Sequence, residues 1–461
     1  MTKGIVVAGL GGGSGKSVVA VGLVAALRER GCSVVPFKKG PDYIDAGWLG
    51  EAAGGPCFNL DPYLMEGESI LKAFSAHCYG KSYAIIEGNR GLFDGVDSEG
   101  TYSTAELATF LGLPVLLVVD CTKTTRTVAA MVYGCCRLSP GLDIRGVVLN
   151  RIGSSRQDKV IREAVEKYTE VPVLGAIKRM TRDVFPMRHL GITPFQEASG
   201  VGETVRELAQ KVRESCDLNR LEQLMVDTVS ITTGPGPLFA QKNREKDVRI
   251  GVIRDEAFQF YYPENLMALE DQGAEIITLN ALSDRELPEL DGLYIGGGFP
   301  ETSARELSVN LSFRDSVRYW AGEGLPVYAE CGGLIYLGES IILQEGEYPL
   351  AGVFPVKFSL ESRPQAHGYT VLRSLSGNPF YEEGTVIKGH EFRYSRIVRW
   401  SGNTDDLSLS VERGVGFAGK RDGLVYKNVL ALYSHVHAIA TPEWSKGVLG
   451  QARQFRRNFS G

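Results

Sequence analysis

The sequence predicts an α/β protein of two successive domains, the first a doubly wound parallel sheet built around a phosphate-binding loop. Three observations carry this. Residues 4–17 pass from an apolar strand through a glycine-rich turn to Gly15-Lys16-Ser17, and an alanine- and valine-rich helical pattern follows. Short apolar strands then alternate with helical stretches several times before residue 180, as in a parallel sheet covered by helices. After a Gly/Pro-rich and charged stretch the alternation restarts at Val248, and at Pro326 another apolar strand runs into Cys331-Gly332-Gly333 and a helical pattern. The expected organisation is a first domain over 1–228, a linker over 229–247 and a second domain over 248–461.

Composition narrows the function classes. A chain of 461 residues has room for two or three domains with separate cores. The net charge of −5 excludes a general nucleic-acid binder, which needs a basic face. No apolar run reaches membrane-spanning length, so no membrane partner is expected. The first strand begins almost at Met1, with no signal-peptide pattern, and a cytoplasmic setting is the expectation. Eight scattered cysteines without C-x-x-C clusters suggest neither a disulfide framework nor a zinc site.

In the loop, Gly12, Gly13, Ser14 and Gly15 let backbone N–H groups wrap around phosphate oxygens, and the helix N-terminus adds positive partial charge. Lys16 reaches the terminal phosphates and the Ser17 hydroxyl ligates Mg²⁺. Leu10 stands where the common spacing has glycine, and Gly9 lies one residue too early. This variant resembles the loop of dethiobiotin synthetase, which phosphorylates a carboxylate. The strand Ser33–Phe37 ends in a polar segment, 38–46, that should face the loop. Lys38 and Lys39 alone read as solvated charges beside a Gly-Pro turn, whereas Asp42, Tyr43 and Asp45 favour a functional reading. The strand Tyr83–Ile86 leads to Glu87, placed for a second Mg²⁺ contact, and to Asp94 near the substrate. Ser103 can cap the next helix. Strands Val115–Val119 and Gly146–Leu149 follow. Asn150 at the end of the latter either reads a purine edge through its carboxamide or is an ordinary loop asparagine. Residues 176–197 read as irregular and basic, and a helical pattern spans 201–226.

In the second half, Val248–Ile253 is a strand, residues 255–262 open a helix, and Ala274–Leu279 and Leu290–Ile295 are strands, the last ending in Gly296-Gly297-Gly298. The run into Cys331 is a strand–nucleophile–helix elbow, a sharp turn exposing one reactive side chain among small residues. Ala329 and Gly333 supply that smallness. A helix N-terminus favours the thiolate, and the N–H of Gly332 with those of Gly297 and Gly298 can hold an oxyanion. The thiol needs a histidine base. His435 and His437 alternate along an apolar strand and share a face, so one of them should reach Cys331. His390 is a weaker candidate, and His77 reads as a surface residue.

With both centres placed, the chain resembles the cobyrinic acid a,c-diamide synthase family along essentially its whole length. The resemblance rests on seven motifs in order: Lys39-Gly40-Pro41-Asp42-Tyr43-Ile44-Asp45, Glu87-Gly88 with Gly91-Leu92-Phe93-Asp94-Gly95, Arg188-His189-Leu190-Gly191, Gly296-Gly297-Gly298-Phe299-Pro300-Glu301, Glu330-Cys331-Gly332-Gly333, Gly389-His390-Glu391-Phe392 and His435-Val436-His437. It implies a dethiobiotin-synthetase-like ATP domain followed by a class I glutamine amidotransferase domain of flavodoxin-like α/β type. Cys331 would attack glutamine with His435 as base. The ammonia released would travel through an internal passage and displace phosphate from a tetrapyrrole carboxylate activated by ATP, at the a and c acetates in turn. Lys16, Ser17 and Glu87 would serve ATP·Mg²⁺, with Asp45 as an additional candidate contact. Asp42, Tyr43 and Asp94 lie where the family handles substrate or intermediate. The implied partners are ATP, glutamine and a tetrapyrrole polycarboxylate, with a homodimer left open.

Three departures stand out. Other class I glutaminases carry H-x-E, and His437 occupies the place of that glutamate, so a Cys–His dyad is the expectation. Gly88-Asn89-Arg90-Gly91 differs from the Gly-Val-Met-Gly of cobyrinate enzymes. Together with Tyr102–Leu107 it is similar to sister branches that amidate nickel-sirohydrochlorin or sirohaem. Arg90 either meets an extra substrate carboxylate or is a solvated loop charge. Ala46 stands where cobyrinate enzymes often have proline. The competing readings are a cobyric acid synthase-like enzyme acting on other corrinoid carboxylates, and a ParA/MinD-like ATPase switch with a decayed glutaminase domain.

Overall fold

In the computed structural model the chain begins with an alternation of strands and helices: β1 (Lys3–Gly9), α1 (Lys16–Glu29), β2 (Val34–Lys39), α2 (Ile44–Ala53), β3 (Phe58–Leu60), α3 (Gly67–Cys78), β4 (Tyr83–Glu87), α4 (Thr104–Leu111), β5 (Val115–Asp120), α5 (Thr127–Leu138), β6 (Ile144–Ile152), α6 (Ser155–Thr169) and β7 (Val173–Lys178). The structure describes residues 1–180, 185, 187–188, 191–228, 238–239 and 245–459. They fall into two units, Met1–Leu238 and Phe239–Gly461.

Seven strands of the first unit are parallel, in the order β3-β2-β4-β1-β5-β6-β7, and Val226–Asp227 pairs antiparallel with the start of β1 at Lys3 and Gly4. Continuous apolar strands suit a sheet covered on both faces, and Val115–Val119 in β5 is fully buried. Helix α1 carries an unbroken apolar run because it lies between the sheet and α7 (Val201–Ser215). That packing needs Gly22, where a Cβ would stand 2.5 Å from Val212 Cγ2 and 2.6 Å from the Leu208 carbonyl. Ser103 caps α4 as expected, accepting from the Glu106 N–H.

Several expectations are corrected. β2 continues through Lys38 and Lys39, and both side chains are buried rather than solvated. His77 is buried too, stacked on Phe58 at a centroid distance of 3.4 Å, because it falls on the apolar face of α3. The helical pattern over 201–226 breaks at Cys216, which bridges to Gly175 of β7, and resumes as α8 (Leu218–Leu224). Of the Arg188–Gly191 motif, His189 and Leu190 lie outside the described residues, as do 229–237 and 240–244 of the linker.

The second unit is built on a parallel sheet ordered Ala274–Leu279, Val248–Ile253, Gly292–Ile295, Val327–Glu330 and Val429–Leu432, with Leu424–Tyr426 antiparallel at its end. Residues 255–262 do not form the expected helix. The Asp255 carboxylate accepts from the N–H groups of Ala257 and Phe258, closing a turn, and the helix starts at Pro263, whose fixed φ suits the first helical position. A separate five-stranded sheet joins Val386–Arg393 to His435–Val436, with His390 opposite His435. No helix among the described residues is long and apolar enough to cross a membrane.

Candidate active sites

In the first unit the loop closes over Gly9. A Cβ there would stand 2.9 Å from Lys16 Cγ and 3.1 Å from Ser14 Cβ, so the glycine one position early is the one the fold requires. Ser14 Oγ and Lys16 Nζ both donate to the Gly11 carbonyl, at 2.8 and 3.2 Å. At Gly11, Gly12 and Gly13 a Cβ would meet nothing within 4 Å, so this rim opens where a phosphate would enter. Gly15 is the N-cap of α1 at φ +96°, and no side chain caps that end. A Cβ on Gly15 would press on Asn150, whose Nδ2 donates to the Ser14 carbonyl at 2.9 Å. One donor of that carboxamide thus braces the loop.

The strand ends around this loop converge on a buried charge cluster. β2 and β4 are neighbours with Lys38 in register with Glu87, and Asp45 lies in the first turn of α2. Lys38 Nζ lies 2.6 Å from Asp45 Oδ2 and 3.2 Å from Glu87 Oε1, and Ser17 Oγ donates to the same Glu87 oxygen at 2.7 Å. Burial opposes the Lys38 charge, but Asp45 and Glu87 outweigh it and hold the ammonium above its usual range. Burial pushes Glu87 up to about 7 against the pull of Lys38. Asp42, whose Oδ1 accepts from the Asp45 N–H at 2.9 Å, is pushed up to about 6 by burial and by Asp45. Lys16 is lowered by burial, offset in part by Glu87.

The Glu87–Gly95 loop is tied to the phosphate loop by the Leu92 N–H on the Gly9 carbonyl at 2.7 Å. Asp94 Oδ2 accepts from the Gly91 N–H at 2.8 Å, so Asp94 shapes this loop. Arg90, exposed at φ +52°, stands at its tip. Tyr43 is the N-cap residue of α2, between Asp42 and Asp45.

In the second unit the elbow has the expected form. Cys331 sits at φ +47°, ψ −97° between the Val327–Glu330 strand and the Gly332–Tyr336 helix. A β-carbon residue held there is strained, and such strain clusters at functional sites. The small neighbours are obligatory. A Cβ on Gly332 would stand 3.0 Å from the Gly298 nitrogen, and one on Gly333 2.5 Å from the Ile295 carbonyl. The Gly298 nitrogen therefore packs against Gly332, the residue next to Cys331, where an oxyanion pocket would draw its donors. A Cβ on Gly297 would stand 3.2 and 3.3 Å from the two ring nitrogens of His435.

His435 is buried. Burial works against its imidazolium, but Cys331 and Glu330 outweigh that and raise it to about 9. His390, opposite it across the strand pair, stacks on the His435 ring with centroids 4.9 Å apart, and burial with the His435 charge lowers it well below the usual range. The strand ladder ends at Val436, so His437 does not share the face of His435 as simple alternation expected. It lies 3.7 Å from Glu264 on the Pro263–Asp271 helix instead. Two side chains escaped the sequence reading. Lys38 was signalled by its place at the tip of an apolar strand, and Glu330 by being a carboxylate inside one.

The chain matches two family models: the CobQ/CobB/MinD/ParA nucleotide binding domain over residues 5–189, and the CobB/CobQ-like glutamine amidotransferase domain over residues 249–442. It is similar along its length to proteins named cobyrinate a,c-diamide synthase. That of Magnetococcus marinus is 41% identical over 94% of this chain and 93% of the relative. That of Archaeoglobus fulgidus is 38% identical over 95% and 94%, and that of Methanosphaera stadtmanae 37% identical over 96% and 97%.

Proposed function

The chain belongs to the cobyrinate a,c-diamide synthase family, and from that membership we propose that it amidates the a and c acetate carboxylates of a tetrapyrrole, using ATP and glutamine. The observation that carries the reading is one chain holding both a carboxylate-lined phosphate loop and a strained cysteine beside a buried histidine.

The glutaminase half follows from the elbow. His435 takes the Cys331 proton and the thiolate attacks the carboxamide carbon of glutamine, forming a C–S bond. The amides of Gly298 and Gly332 stabilise the oxyanion, with Gly297 keeping that wall flat against the histidine. His435 returns the proton to the departing nitrogen, the C–N bond breaks and ammonia leaves. Water then cleaves the thioester to glutamate.

In the first unit a substrate carboxylate oxygen attacks the γ-phosphorus of ATP, ADP leaves, and ammonia displaces phosphate from the acyl phosphate to give the amide. Gly12, Gly13, Ser14 and Gly15 cradle the phosphates, Lys16 meets their terminal charge, and Asn150 holds the loop in shape. The acceptor set fits Mg²⁺: Ser17, Asp45 and Glu87 are hard oxygen donors, and Glu87 Oε2 is buried with no hydrogen-bond partner among the described residues. These three would hold the ion, which neutralises charge on the transferring phosphoryl group when bound. Asp42 and Tyr43 border the carboxylate to be activated, and Asp94 keeps the Glu87–Gly95 loop closed on it.

Cobyrinic acid is the first substrate to test, since the relatives carry that name. The exposed guanidinium of Arg90 favours a second reading, in which an additional peripheral carboxylate of a sirohydrochlorin-type macrocycle is bound. Purified protein given ATP, Mg²⁺ and glutamine with cobyrinic acid, sirohydrochlorin, its nickel form or sirohaem should convert one of them by two successive OH-to-NH2 exchanges seen by mass. Cys331→Ala should abolish glutamine-driven turnover and keep ammonia-driven turnover. ATP hydrolysis with no macrocycle altered would refute the amidation and favour the switch-ATPase alternative.

A further inference from the structure

Resting on the glutaminase reading above, we propose that Glu330 is the positioning carboxylate of that centre. It holds the Nδ1 side of His435 and leaves Nε2 for Cys331, the task that H-x-E glutaminases give to the residue two beyond the histidine.

The geometry is specific to the residue before the nucleophile. Glu330 Oε2 lies 3.5 Å from His435 Nδ1, and both side chains are buried. The carboxylate is itself fixed. Its Oε1 accepts from the Val436 N–H at 3.2 Å, and its Oε2 accepts from the Tyr294 hydroxyl at 3.3 Å. Asn265 donates to the Tyr294 oxygen at 3.3 Å and to the Val436 carbonyl at 2.8 Å, while its own Oδ1 accepts from the Ala438 N–H at 2.7 Å. One asparagine thus locks both the carboxylate's donor and the backbone after His435. A buried carboxylate with neutral donors only would be strongly disfavoured, and the imidazolium formed in each turnover supplies the missing charge.

His437 is engaged elsewhere. Its Nδ1 accepts from the Ile439 N–H at 3.2 Å and its Nε2 faces Glu264 at 3.7 Å. The substitution that removes glutamate from the H-x-E position is therefore matched by a carboxylate reaching the same imidazole from the elbow. In the cycle Glu330 takes no proton. It orients the ring and stabilises the imidazolium while Cys331 is a thiolate or thioester.

The test is Glu330→Gln. Glutamine has one acceptor oxygen, so it cannot serve both the Val436 N–H and His435 as a charge. Glutaminase kcat should fall at least about tenfold with KM for glutamine little changed. The groups facing the His435 ring are Cys331, Glu330 and His390, with Tyr294 behind Glu330 and His437 beyond. Loss of the Glu330 carboxylate from among them should move the pH profile of Cys331 alkylation by iodoacetamide to higher pH. Ammonia-driven synthesis should stay at the wild-type rate. The wild-type protein offers a readout independent of how the variant folds: a downfield imidazole N–H proton, assigned by its loss in His435→Ala. Wild-type kcat and an unmoved alkylation profile in Glu330→Gln, or no such proton in the wild type, would overturn the assignment. A wild-type protein without glutaminase activity would instead bring down the reading on which it rests. His437→Gln should keep glutaminase activity, and a collapse of kcat with a normal melt there would return the role to His437 and overturn the proposal.

Discussion

Gly297→Ala is a direct probe of the glutaminase geometry. The added carbon would stand 3.2 Å from His435 Nε2 and 3.3 Å from Nδ1, nearly equidistant, so it points edge-on at the carbon between them and stands closer still to that atom. Ordinary contact needs ~3.5 Å, so the ring must retreat by about 1 Å. Retreat along the ring plane drives it toward its own backbone, which is pressed against Gly389, where a Cβ would meet the His435 carbonyl. Sideways rotation meets His390, stacked on the same ring. The methyl group therefore either displaces His435 from Cys331 or strains the strand that carries it. Overpacking of this kind destabilises by about 1–3 kcal/mol. A misplacement near 1 Å reduces the reaction by on the order of 100-fold. The assay is paired: glutamine-driven amidation should fall by that factor while ammonia-driven amidation in the same preparation holds. Glutamine-driven turnover within about threefold of wild type would refute the placement of the histidine against this glycine.

Two other perturbations test the buried charges. Lys38→Met leaves Asp45 and Glu87 without their internal cation, and breaking a buried pair from one side destabilises by about 3–5 kcal/mol. Denaturant unfolding measures this, and a loss below about 1 kcal/mol would mean the carboxylates find another partner. Asp422 is fully buried, accepts from the Gly423 and Tyr433 N–H groups, and is raised by burial to about 7. Its folded pKa lies above its unfolded one, so its contribution to stability is full below about pH 4 and is lost as pH rises through about 7. Asp422→Asn removes that loss. The variant should gain up to about 4 kcal/mol over wild type near pH 8 and nothing near pH 4, read from unfolding at both pH values.

The two chemical centres are legible in the sequence because each depends on local chain order. A strand that turns through glycines into Lys16-Ser17, or through Cys331 into Gly332-Gly333, allows few backbone paths, and the residues fixing those paths are neighbours in sequence. What stays hidden is set by pairing between distant strands. Lys38 becomes a buried counter-ion only because β2 lies beside β4 in a register that sets it against Glu87. Its own neighbours in sequence, Lys39, Gly40 and Pro41, read as a solvated turn. His437 looks equivalent to His435 by alternation, yet the ladder with Val386–Arg393 ends at Val436 and the chain turns it toward Glu264. The false helix over 255–262 has the same origin, since the aromatic run Phe258–Tyr262 is held by a bridge from Phe260 to Gly297, beside the His435 ring. Where tertiary pairing overrides local pattern in this chain, it sets a side chain or strand against a partner distant in sequence, Lys38 against Glu87, His437 against Glu264 and Phe260 against Gly297. A carboxylate or ammonium can be stored in a sheet only against a partner the fold delivers, and that partner is set by strand register rather than by the neighbours in sequence.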